Sequence, residues 1–210
     1  KAMDMGNVIH QALEDFAAEL HRRKLDWSVL SDEMRDAIAD ECLDRISADY
    51  GNTILQSSAR NQYMIERTRR ILRRTVWALQ EQLRNGKFQP EGFEVSIGGG
   101  RIDRLDIMKT DDKVYVKIID YKTGNTSLDL VALYYGLQLQ LAVYLDAAVE
   151  LEQKKHPGKL VEPAGVFYYH IDDPILDQEE DETDEAWGRR MLKALRMDGL
   201  VNADRKVVEL

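Results

Sequence analysis

Around Asn85 the spacing of apolar residues changes from steps of three and four to simple alternation, and that change confines the chain to an α/β architecture. Upstream, Val8, Ile9, Ala12, Leu13, Phe16, Ala17 and Leu20 predict an amphipathic helix from Met5 to about Arg23. A second helix is expected from about Ser31, a suitable N-cap, to Tyr50, and a third from about Ser57 to Arg84, stopped by Asn85-Gly86. Downstream, Phe93 to Ile97 alternates like a strand and Gly98-Gly99-Gly100 reads as a turn. Arg101–Met108 and Val114–Tyr121 then read as two strands of a hairpin joined by the polar segment Lys109–Lys113. A loop at Gly124–Ser127, a helix over Leu130–Glu150, a strand over Ala164–Ile171, an acidic solvated loop after Asp172 and a helix over Glu185–Arg196 complete the pattern. We therefore expect one domain over residues 1–210, with a helical portion at 1–88 and an α/β core at 89–210.

Such a chain, 210 residues with 44% hydrophobic content, can bury one sizeable core. It has no apolar run of membrane-spanning length and no secretory signal pattern, so no membrane association and a cytoplasmic location are expected. Cys42 is the only cysteine, which excludes an internal disulfide and any metal site built from this chain's cysteines alone. The sequence begins at Lys1 without an initiator methionine, so a piece of a larger polypeptide is expected. A net charge of −9 argues against holding nucleic acid by global electrostatics. Yet Arg60, Arg67, Arg69, Arg70, Arg73 and Arg74 crowd one helix, and Arg67, Arg70 and Arg74 fall on one stripe. That stripe either solvates the helix or steers a DNA backbone.

The chemistry concentrates after the glycine turn. Alternation along Lys117-Ile118-Ile119-Asp120-Tyr121-Lys122 puts Asp120 and Lys122 on one face of a strand, while Asp103 lies on the partner strand. Paired carboxylates suit a hard cation such as Mg²⁺, and Lys122 can orient or deprotonate a water for attack on a phosphodiester. The plain alternative is an exposed ion pair on a surface hairpin; against it, the apolar Ile118-Ile119 leads directly into the charges, where burial without a task is costly. Asp106 alternates to the opposite face and reads as structural or paired with an arginine, and Glu94 is an auxiliary acid candidate. His10 by itself reads as a partly buried structural histidine.

Taken together, Gly100-Arg101-Ile102-Asp103, Ile118-Ile119-Asp120-Tyr121-Lys122-Thr123-Gly124 and Gln140-Leu141-Ala142-Val143-Tyr144 resemble the successive motifs of RecB-type PD-(D/E)XK nucleases. Gly6-Asn7-Val8-Ile9-His10 resembles the upstream Gly-x-x-x-His motif of the same family. The resemblance implies a three-layer restriction-endonuclease-like core with a mixed sheet. It implies divalent metal, Mg²⁺ with Mn²⁺ equally suited, on His10, Asp103, Asp120 and the Tyr121 carbonyl, with Lys122 serving the attacking water. Gln140 and Tyr144, one helical turn apart, share a face toward the site. Within the family the chain is most similar to the C-terminal nuclease domain of the B subunit of AddAB helicase–nucleases, a likeness to which Tyr168-Tyr169-His170-Ile171-Asp172-Asp173-Pro174 and Gly199-Leu200-Val201 add. That likeness implies a bacterial exonuclease acting in double-strand break processing and recombinational repair, DNA substrate in single strands, and an AddA-type helicase partner. The alternatives are a stand-alone RecB-like or Cas4-like exonuclease and an inactive nuclease fold kept as a DNA-binding scaffold. Members of this subunit family commonly fasten an iron–sulfur cluster with four cysteines; with Cys42 alone, no cluster is expected in this fragment.

Overall fold

The computed structural model describes residues 5–50, 59–123, 129, 131, 132, 135, 139–177, 182–204 and 207. Their contacts divide into two compact units, Lys1–Asn85 with Ile171–Leu195, and Gly86–His170 with Arg196–Leu210. Residues 171–195 group with the helices rather than with the sheet. No helix among the described residues is long and apolar enough to cross a membrane.

The helical unit contains α1 (Met5–Arg23), α2 (Asp32–Tyr50), α3 (Ala59–Asn85) and α5 (Asp184–Ala194), with a short 3-10 turn at Trp27–Val29. The expected apolar stripe of α1 is its core face, since Val8, Ile9, Ala12, Leu13, Phe16 and Leu20 are all buried. Each of the valine, isoleucine, leucine and phenylalanine side chains contributes about 1.5–3 kcal/mol by leaving water, so the stripe is what seats the helix. Facing residues come from α2 (Ile38, Cys42, Leu43, Ile46) and α3 (Ile71, Leu72, Val76, Leu79, Leu83). Ser31 caps α2, its Oγ accepting the Met34 amide at 3.2 Å. The buried Gln80 donates to the Trp27 and Leu30 carbonyls and accepts from Arg35, fastening the α1–α2 connection to α3.

The second unit is a five-stranded sheet of β1 (Gln89–Ile97), β2 (Gly100–Lys109), β3 (Lys113–Lys122), β4 (Leu160–His170) and β5 (Asp198–Val201), in that spatial order. β3 pairs in parallel with β4 and the other neighbours are antiparallel, so the sheet is mixed. A parallel pair needs a crossover, and here it carries α4 (Gln140–Lys155). α4 packs Leu141, Ala148, Tyr144, Leu145 and Val149 on a core of Leu105, Ile107, Val114, Val116, Ile118 and Val166. β3 lies in the centre, and its run of β-branched and aromatic residues is buried on both faces, as such strands require. Five α-helices and a mixed five-stranded sheet among the described residues agree with a restriction-endonuclease-like α/β fold.

Several boundaries shift. β1 begins four residues earlier than alternation predicts, and it tolerates Pro90 because it is an edge strand. β5 was not visible as a strand: it is four residues long and carries Gly199. The Cβ of any other residue at 199 would lie 2.2 Å from the Val166 carbonyl oxygen. The expected loop at Gly124–Ser127 and most of the first ten residues of the helix expected over Leu130–Glu150 lie outside the described residues; the described helix runs on to Lys155.

Candidate active site

The β2–β3 ladder ends at the pair Arg104↔Ile119. Just beyond it, Asp103 turns its carboxylate to the backbone and Oδ2 accepts the Tyr121 amide at 2.6 Å. The side chain thereby closes the gap left where the strands part, and the second acid's neighbour in sequence is tied to the first acid. Extending the register by one residue sets Asp103 opposite Asp120, as hairpin pairing suggests.

On β3, alternation does bring Asp120 and Lys122 together: Lys122 Nζ lies 2.5 Å from Asp120 Oδ2, with both side chains roughly a quarter exposed (31% and 22%). The Lys122 ammonium also stands over the Tyr168 ring, 5.3 Å from its centroid. Burial pushes the Lys122 amine down, but the hydrogen bond and charge of Asp120 outweigh it, with Tyr168 and Asp103 adding to the rise, and the group ends above its ordinary value. Lys122 is therefore an ammonium at neutral pH in this arrangement.

Glu94 was the auxiliary acid candidate of the sequence reading. It sits on β1 with φ of 50°, in the left-handed region that a glutamate rarely adopts. Its carboxylate and that of Asp103 each bring an oxygen within 4.8 Å of the other, and Arg101 Nη1 bonds Glu94 Oε2 at 3.2 Å. The signal available beforehand was weak, a lone acid in an alternating strand, whereas the backbone conformation that turns it is a tertiary fact. Hard carboxylate oxygens in this number and spacing fit a divalent cation of the Mg²⁺ or Mn²⁺ type.

Gln140 opens α4 and Tyr144 follows one turn later, and Gln140 Nε2 donates to the Tyr144 hydroxyl at 2.9 Å. That hydroxyl closes on the backbone of Gly100: a Cβ there would stand 2.0 Å from it. The glycine that opens the β2 motif is thus the residue that admits Tyr144. His10 lies half-buried on α1 in the helical unit, one residue after the fully buried Ile9. In the same unit Arg70 and Arg74 both bind Asp173, Arg70 Nη2 at 2.5 Å, while Arg67 is exposed. The arginine stripe therefore exists, but two of its three members are engaged by one aspartate. Cys42 is buried in α2, where burial raises its thiol.

Asp106 is on the opposite face of β2, as alternation requires, and it is fully buried. Arg104 grips it with both arms, Nε and Nη2 each at 2.6 Å, and Lys117 Nζ lies 3.4 Å from Oδ2. Burial pulls the Asp106 carboxyl up, but the charges of Arg104 and Lys117 carry it below the usual carboxylate range.

A mixed sheet whose central hairpin presents acid, acid and lysine at one end defines a class of phosphodiester-cleaving folds. The family model for the PD-(D/E)XK nuclease superfamily matches residues 1–207, and the chain belongs to that superfamily. Among curated proteins it is similar to the B subunit of the ATP-dependent helicase/deoxyribonuclease of Lachnoclostridium phytofermentans, 43% identical over 99% of this chain and 18% of that protein. It is likewise similar to the proteins of the same name from Clostridium acetobutylicum, 34% identical over 98% of this chain and 20% of that protein, and Listeria monocytogenes serotype 4a, 35% identical over 100% and 20%. The chain spans about a fifth of the length of these curated relatives.

Proposed function

We propose that this chain is the nuclease module of a B-type helicase/deoxyribonuclease subunit and hydrolyses DNA phosphodiester bonds with a divalent cation. The observation that carries this reading is the end of the β2–β3 hairpin, where Asp103 is tied to the Tyr121 amide and Asp120 to Lys122. Asp103, Asp120 and the Tyr121 carbonyl would hold the cation, with Glu94 as a further carboxylate and His10, by its motif, as the nitrogen ligand. When bound, Mg²⁺ or Mn²⁺ supplies Lewis-acid stabilisation of the charge that builds on phosphate and leaving oxygen. Lys122, aimed by Asp120, donates hydrogen bonds to the attacking water and to a phosphate oxygen. Tyr144 and Gln140 act as one hydrogen-bonded pair that positions the DNA strand. Arg67, with Arg70 and Arg74 once they exchange Asp173 for phosphate, steers the backbone.

The role that follows is exonucleolytic trimming of single strands during double-strand break processing and recombinational repair in the bacterial cytoplasm, with an AddA-type helicase subunit feeding the DNA. Cleavage of end-labelled single-stranded DNA with Mg²⁺ or Mn²⁺ is the direct test, beside Asp120→Ala and Lys122→Ala variants shown to be folded. Metal-dependent cleavage lost in both variants is expected. A wild type that neither binds Mn²⁺ nor cleaves would refute the reading in favour of a DNA-binding scaffold.

A further inference from the structure

β4 contributes a side chain to the site that the proposed chemistry leaves without a task. In the parallel β3–β4 pairing Tyr168 is the register partner of Asp120, so the two side chains stand side by side on one face of the sheet. Lys122, two residues on from Asp120, shares that face, and its ammonium lies 5.3 Å from the centroid of the Tyr168 ring and 2.5 Å from Asp120 Oδ2. Tyr168 is 7% exposed and belongs to the core cluster of Ile118, Leu141 and Val166, against which Tyr144 packs, so its ring is a fixed wall. Burial pushes the Tyr168 phenol up, and Asp120 adds to the rise against the pull of Lys122, so this wall is a neutral ring at neutral pH. What attracts the ammonium is therefore the electron-rich ring face.

That contact bears on a conflict within the proposed reaction. Asp120 is asked both to aim Lys122 and to bind the cation, and a carboxylate shared with a cation is a weaker partner for an ammonium. A ring face attracts the charge without engaging a donor through a lone pair, so it holds the group from the side and leaves its three N–H donors for water, phosphate and Asp120. We propose that Tyr168 is a positioning residue: its ring face keeps the Lys122 ammonium in place while Asp120 shares its carboxylate with a divalent cation. The inference rests on the nuclease reading of Asp120 and Lys122. A cation–ring contact of this kind corresponds to about 2–30-fold in an equilibrium. A lysine that strays from the attacking water lowers kcat rather than raising KM.

Two variants decide it: Tyr168→Phe, which keeps the ring face, and Tyr168→Leu, which removes it. In the intact protein three quantities are read: the melting temperature, kcat and KM on single-stranded DNA with Mg²⁺, and the proton NMR position of the Lys122 Cε methylene. The last is followed in lysine-labelled protein with and without Mg²⁺, the signal being identified by its absence in Lys122→Ala. In wild type and Tyr168→Phe we expect that signal upfield of an ordinary lysine, where an aromatic ring beside it places it, and unmoved by Mg²⁺. Tyr168→Leu should lose the upfield position and about tenfold in kcat at unchanged KM, while Tyr168→Phe stays within about twofold of wild type. A merely structural tyrosine would lower the melting temperature of Tyr168→Leu and leave kcat of the folded protein alone, which overturns the proposal. Equal loss of kcat in both variants assigns the effect to the hydroxyl and overturns it too. Should Tyr168→Leu fail to fold, the NMR signal decides, since a wild-type Lys122 at the ordinary lysine position, or one that returns there with Mg²⁺, refutes the hold. A wild type that does not cleave DNA counts against the nuclease reading, while the Lys122 signal still judges the ring contact.

Discussion

Asp106→Ala tests how the buried charges stand energetically. The substitution removes the acceptor of two 2.6 Å bonds from Arg104 and the counter-charge 3.4 Å from Lys117, leaving the buried Arg104 guanidinium and the partly exposed Lys117 ammonium without their carboxylate. Breaking a buried pair from one side costs about 3–5 kcal/mol. At roughly 2–4 °C per kcal/mol for a chain of this size, the melting transition of the sheet should fall by roughly 6–20 °C. Replacing both partners with apolar residues, Arg104→Met with Asp106→Leu, should cost less than Asp106→Ala by itself, because no uncompensated carboxylate–guanidinium partner remains and Lys117 keeps its aromatic neighbours. Calorimetry is the assay of choice, because Trp27, Trp77 and Trp187 all lie in the helical unit and tryptophan emission reports only on that unit directly. The reasoning fails if Asp106→Ala lowers stability by less than about 1 kcal/mol, or if the double variant is as damaging as the sum of the single ones.

Two further outcomes are expected. In the helical unit, hydrogen bonds from Arg22 and Arg23 hold the Glu19 carboxyl down to about 2 from its ordinary 4.5. A carboxyl depressed on folding contributes stability above its unfolded value and loses it as pH falls toward its folded one, so tryptophan-monitored stability should decline from about pH 4.5 toward 2, and Glu19→Gln should flatten that decline. An Arg67→Ala/Arg70→Ala/Arg74→Ala variant should bind single-stranded DNA more weakly, with a salt dependence shallower by roughly 0.7 per lost phosphate contact, about 2 in all; titrations at several salt concentrations that superimpose on wild type would remove these arginines from the DNA path.

The helices of the first unit were legible because their apolar stripes are local periodic facts, and the stripe predicted for α1 is its buried face. The hairpin and the neighbouring Asp120 and Lys122 were legible for the same reason, since side chains two apart on a strand must share a face. Asp106 was assigned to the opposite face by that rule and read as structural or paired with an arginine, although nothing in the sequence singled out Arg104. The return of residues 171–195 to the helical unit and the short strand β5 were not legible, because each is decided by which distant surface is available. By itself, then, the sequence determined the types of the longer elements, the face on which each charged residue of the hairpin lies and, through its motifs, the superfamily. Tertiary structure alone decided that Asp103 binds the Tyr121 amide, that Glu94 turns its carboxylate toward Asp103, and that Gly100 admits Tyr144. Those contacts depend on where β2 leaves the ladder and on how α4 crosses the sheet, and no periodicity within one segment encodes the meeting of two.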